Sequence, residues 1–199
     1  VHVDDADLAL LAEHGASVAH CPHSNLKLAS GIAPAAKMRA LGINVGIGTD
    51  GAASNNRLDV LLEARTAALL AKGASGDASA WAAHDTLHAM TLAGARALGL
   101  ADRIGSIEPG KDADLVAIDL GRLDIAPVFD PVSHLVYAAG REHVSDVWVA
   151  GQPVVRMRQL VADGIRAQVT EVTGRCRLWH NRVVEIVPDG PRGIIRTTG

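Results

Sequence analysis

Two short apolar runs constrain this chain most. Ala16 to Cys21 and Ile43 to Thr49 each follow an amphipathic helical stretch, residues 4–14 and 35–42, and strands separated by crossovers of that length pair in parallel. Parallel strands alternating with helices carry their functional loops at the strand C-termini. His20-Cys21-Pro22 and Thr49-Asp50-Gly51 both fall there. The helix expected over 4–14 places Leu8, Leu11 and Ala12 on one face, opens on acidic residues and stops at Gly15. After the first strand, HSNLKLASG reads as a polar loop. Two further helices are expected over 57–72 and 84–98, separated by the Gly/Ser/Asp loop 73–79.

After Gly99 the texture changes. Residues 102–120 read as a turn, a Pro-Gly turn and a β run, and 144–155 as two β runs around Gly151-Gln152. The expected division is therefore an α/β part over 1–98, a small β layer over 99–160, and a terminal helix with a loose tail over 161–199. Gly164, Gly174 and several β-branched residues weigh against that terminal helix.

Composition bounds the function. With 199 residues, 48% of them hydrophobic, the chain buries a substantial core. Its net charge of −3 comes with Lys and Arg scattered, which gives neither nucleic acid nor an anionic membrane a basic stripe to bind. No apolar run approaches the ~18 residues of a membrane span. Cys21 and Cys176 form no C-x-x-C pair, a usage that fits a reducing, cytoplasmic setting. Val1-His2-Val3 reads as the end of a strand whose beginning is missing, so a fragment of a longer protein is expected.

Nine histidines invite a metal hypothesis. His14 sits at a helix C-terminus, which favours an imidazolium. His84 and His88 have the i, i+4 spacing but no H-E-x-x-H, and His134, His143 and His180 have no neighbouring ligand pattern. His20 and Asp50 differ because both end strands of the parallel part, and His with Asp are ligand types for a divalent metal such as zinc. A strand-end Asp also takes a proton from a metal-bound water. Residue type equally allows Asp50 as a turn or helix cap and His20 as a packed, hydrogen-bonded histidine. Spacing leaves both readings open. GIGTDG is not G-x-G-x-x-G, and Ser24 and Ser54 have no ordered base partner in sequence, which disfavours dinucleotide binding and a serine nucleophile.

Three stretches, HCPHSNLKLASGIAP (20–34), GIGTDGAASNN (46–56) and IGSIEPGKDADLVAIDL (104–120), together resemble the amidohydrolase superfamily. The resemblance, over roughly residues 1–160, is to its cytosine-deaminase-like branch, which contains methylthioadenosine/S-adenosylhomocysteine deaminases and s-triazine chlorohydrolases. It implies an α/β fold: the C-terminal portion of a metal-dependent (β/α)8 TIM barrel followed by strands of a small composite β-sandwich. It further implies hydrolytic deamination of an adenine-type nucleoside with a divalent metal, usually zinc. Asp50 matches the family's eighth-strand Asp, a metal ligand and proton acceptor, and His20, Ser24, Asn25 and Ser54 would line the substrate pocket. The family's H-x-H and fifth-strand His have no counterpart, and His2 aligns with the second, non-catalytic histidine of the family's H-C-x-H. One carboxylate does not hold a catalytic zinc, which takes about three protein ligands. The expectation is a C-terminal part inactive alone, partnered by a small heterocyclic amine and by a missing N-terminal segment or a second copy of itself. The alternatives are an s-triazine hydrolase and a noncatalytic interaction domain.

Overall fold

The computed structural model describes residues 1–161, 168 and 170–178. Helix α1, Asp5–Glu13, starts at a reciprocal cap in which Asp4 Oδ1 accepts the Ala6 and Asp7 N–H groups while Asp7 Oδ2 accepts that of Asp4. Strand β1, Ser17–His20, follows, and after α2, Pro22–Lys27, and α3, Ala35–Ala40, comes β2, Asn44–Ile47. The two strands pair in parallel with Ser17 opposite Asn44 and His20 opposite Ile47, as the crossover lengths require. Their C-terminal ends therefore open on one side.

Helix α2 corrects the expectation of a polar loop. Pro22 at its first turn supplies a preset φ and has no N–H to satisfy. Cys21 gives no side-chain cap; instead Glu63, forty residues away, accepts the His23 N–H at 3.1 Å. A cap supplied by another element leaves no local sequence signal.

Helix α4, Val60–Ser75, begins later than expected, because Asp59 caps it by accepting the Leu62 N–H at 3.2 Å. Gly76, at φ +67°, ends it. Ala64, Ala67, Ala68 and Ala71 are buried along one side, where small side chains allow close packing. The core gathers Leu8, Met38, Ile43, Val45, Ala67, Ala71, Trp81 and Ala89.

The single helix expected over 84–98 is broken into α5, Ala83–Ala89, and α6, Leu92–Ala97. Thr91 leaves helical geometry at φ −127°, ψ −94°, and its hydroxyl donates back to the Leu87 carbonyl at 2.7 Å. The redirected α6 lays its backbone on β2: a Cβ built on Gly46 would lie 3.1 Å from Gly94 Cα. Only glycine permits that approach.

Beyond α6, β3 (Leu115–Ile118), β4 (Val144–Val149), β5 (Gln152–Arg156) and β6 (Gln159–Leu160) form an antiparallel sheet in that order. Between β4 and β5, Ala150 and Gly151 both have positive φ, +48° and +75°, which suits a two-residue hairpin turn. Helix α7, Pro131–Tyr137, lies between β3 and β4 and had no sequence counterpart. Its C-terminal end is held by Arg65 of α4, whose guanidinium donates to Val136 O in the helix and to Ala139 O just beyond it at 3.0 and 2.5 Å. Val161 is not helical, whereas Gln168 and residues 170–178 are; the rest of the expected terminal helix and the tail lie outside the described residues.

Candidate active site

The turns that follow β1 and β2 meet over the strand ends. Asp50 stands three residues beyond Ile47 at φ +59°, a left-handed conformation that Asp tolerates better than most residues. It caps no helix, since that role at α4 belongs to Asp59. Its Oδ2 accepts hydrogen bonds from Ser54 Oγ at 2.6 Å and from Ser24 Oγ at 2.7 Å. Ser24 is buried in α2, whereas the Asp50 carboxylate is open to solvent. Lys27 ties the two turns together by donating to Ala53 O at 2.8 Å and Asn56 Oδ1 at 2.7 Å.

These contacts set the electrostatics. Hydrogen bonds from Ser54, then Ser24, then the Gly51 N–H hold the Asp50 carboxyl below the usual carboxylate range. It is an anion with free lone pairs at neutral pH, fit to accept a proton or bind a cation. Replacing Ser54 by alanine is expected to raise the Asp50 pKa, and Ser24→Ala to raise it less. A carbon-detected NMR titration of Asp50 Cγ reads both, and an unchanged midpoint in the two variants would rule out this account of the anion. Burial, then the Asp50 charge, pushes the Cys21 thiol up, which argues against a thiolate nucleophile beside the site.

The other residues named from sequence separate. Asn25 is half-buried in α2, its carbonyl accepting from the Ser30 N–H. His20 is buried, its ring stacked on Trp81 with centroids 5.8 Å apart and planes at 21°. Burial, then the Val1 ammonium, lowers its pKa to about 4, so it is neutral at physiological pH. Ser24, Ser54 and Asp50 thus form one hydrogen-bonded group, and His20 packs into the core instead.

Glu63 escaped sequence reasoning. It is 1% exposed on α4, and besides the His23 N–H it accepts Asn55 Nδ2 at 2.5 Å. His23 Nδ1 lies 2.9 Å away without the alignment of a hydrogen bond. One signal was available: Glu63 falls at i, i+4, i+8 spacing with Ala67 and Ala71, so it stands in line with the buried face of its helix.

Among the described residues no group of three or more His, Cys, Asp or Glu side chains is placed to hold a metal ion. The described residues by themselves do not fit a catalytic metal. No described helix is long and apolar enough to cross a membrane.

Parallel strands that open onto paired turns, with a hydrogen-bonded carboxylate at the end of one strand, place the chain among the α/β proteins whose functional loops sit at strand C-termini. Within that class the chain belongs to the Amidohydrolase family, whose profile matches residues 1–154. It is 54% identical over 177 residues to the 5-methylthioadenosine/S-adenosylhomocysteine deaminase of Teredinibacter turnerae, covering 89% of this chain and 39% of that one. The deaminase of the same name from Moorella thermoacetica is 51% identical over 174 residues, with coverages of 86% and 41%. An adenosine deaminase from Xanthomonas campestris, solved with bound zinc, superposes with a TM-score of 0.85 at 51% identity, covering 92% of this chain and 40% of that one. Atrazine chlorohydrolase from Arthrobacter aurescens, solved with zinc, gives 0.81 at 30% identity, with coverages of 87% and 39%. The chain spans about 39% of the length of its first curated relative.

Proposed function

We propose that this chain forms the C-terminal part of a hydrolytic deaminase acting on an adenine-type nucleoside such as methylthioadenosine or S-adenosylhomocysteine. The observation that carries the reading is Asp50, held as an anion at the end of β2 by two hydroxyls. It lies in a stretch shared with relatives named as such deaminases at 51–54% identity. The chlorohydrolase relative, at 30%, is more distant.

In the proposed reaction, water adds to the ring carbon bearing the amine, the carbon–nitrogen bond breaks and ammonia leaves. Asp50 takes the proton that the attacking water gives up and passes it to the amine nitrogen, which departs as ammonia. Ser24 and Ser54 keep its Oδ2 occupied, so the other oxygen, Oδ1, is the one that faces the reacting water. Asn25 and the small residues Gly51 to Ala53 form the pocket wall, and His20 supports it from behind through Trp81. Asp50 serves as a metal ligand only together with ligands from outside the described residues. On that ligand count, the described residues alone do not catalyse the reaction.

A chimera tests this. Residues 1–160 are exchanged for the matching segment of the Teredinibacter turnerae deaminase, and ammonia release from methylthioadenosine is measured beside the chain alone, both with added zinc. The chimera is expected to release ammonia and the chain alone is not. A folded but inactive chimera would overturn the proposed function, and activity of the chain alone would overturn the ligand count.

A further inference from the structure

Glu63 is a buried acid that the proposed reaction does not use. Burying a carboxyl group is costly unless its oxygens are bonded, and packing alone would be served by alanine, as at Ala67 and Ala71 on the same face. Its bonds are specific. Oε2 accepts the backbone N–H of His23, the residue before Ser24, and Oε1 accepts the side-chain N–H of Asn55, the residue after Ser54. Asn55 Nδ2 also donates to the Thr49 carbonyl at 2.9 Å, directly before Asp50. One carboxyl group therefore grips the α2 turn with one oxygen and the turn after β2 with the other.

We infer that Glu63 is a positioning residue for Asp50. It sets the two turns at the separation at which Ser24 and Ser54 both reach Oδ2 of the same carboxylate. Asp50 and Glu63 do not touch; the effect passes through His23–Ser24 on one side and Asn55–Ser54 on the other. The consequence for catalysis rests on the reading of Asp50 as the proton acceptor, but the positioning itself does not.

The test uses the isotope-labelled chain at one neutral pH, with no turnover measured, so its outcome is independent of the deaminase assay. Glu63→Gln keeps size and packing but has a single acceptor oxygen, and sets an amide N–H2 against either the His23 N–H or the Asn55 amide. Asp59→Ala is the control, because Asp59 caps the same helix without bonding to His23 or Asn55. In Glu63→Gln one of the two bonds is lost, and where it is that of His23 its amide is expected to exchange about tenfold faster, the loss of roughly one hydrogen bond. The Ser24 and Ser54 amide signals and the Asp50 Cγ signal are expected to move. In Asp59→Ala, which removes the cap, the melting temperature falls while those signals stay. If Glu63→Gln does not fold, Asn55→Ser cuts the grip from the other side and should move Ser54 and Asp50 but not His23. Equal signal changes in Glu63→Gln and Asp59→Ala would reduce Glu63 to a general stabiliser of α4. Unmoved Ser54 and Asp50 signals in Glu63→Gln or Asn55→Ser would overturn the inference outright.

Discussion

Asparagine in place of Asp50 is expected to slow ammonia release by the chimera by on the order of 10²–10⁴-fold, the usual contribution of a positioned proton acceptor. The substitution leaves the fold undisturbed for three reasons. Asn has the same shape, it tolerates the left-handed backbone at φ +59° as well as Asp does, and its carbonyl oxygen still accepts from Ser24 and Ser54. What it lacks is a basic oxygen at neutral pH. The melting temperature should therefore hold while kcat collapses. Activity within about tenfold of the parent chimera would remove Asp50 from the proton transfer, since the general-base contribution is larger than that.

The second large effect is on stability. Trp81→Ala is expected to cost about 3–5 kcal/mol at pH 7, the usual range for deleting a buried aromatic ring. Trp81 is 4% exposed and packs between the His20 ring and the Arg39 guanidinium, the latter 5.4 Å from its ring centre. Its indole N–H is buried without a hydrogen-bond partner, so contacts of the ring, not a hydrogen bond, hold it there. The effect must also depend on pH. In the folded chain His20 has its pKa lowered to about 4 from 6.5, first by burial, so the unfolded chain binds a proton that the folded chain refuses. Stability from His20 is complete above pH 6.5 and is lost as pH falls toward about 4, a loss on the order of 3 kcal/mol. Opening the site in Trp81→Ala relieves that burial and returns the His20 pKa toward its ordinary value. The cost of Trp81→Ala should thus be smaller at pH 4 than at pH 7, as urea unfolding at the two pH values will show. A cost independent of pH would mean that Trp81 does not keep His20 dry.

Much of the scaffold was legible because its signals are local. Asp4 and Gly15 bracket α1, the apolar runs at 16–21 and 43–49 became β1 and β2, and Gly151 turned the hairpin between β4 and β5. Asp50 stood out for the same reason, as a carboxylate closing an apolar strand beside glycine. The misses share a different cause. The helix in HSNLKLASG is capped by Glu63 from α4, and α5 and α6 part where Gly94 must reach Gly46, so both depend on partners far along the chain.

His20 and Ser24 show where the boundary lies. Four residues apart, both follow or end the same strand, and residue type allowed each a place in the pocket. The sequence by itself determined that strands β1 and β2 run in parallel and that chemistry-bearing residues gather at their C-terminal ends, because hydrophobic period and crossover length are written along the chain. Only the tertiary structure decided which of those residues face Asp50. The turn of α2 sends the Ser24 hydroxyl to the carboxylate while Trp81 draws the His20 ring into the core. Such directions are set by which distant side chain fills the neighbouring space, and close packing resolves that only when the whole chain is folded.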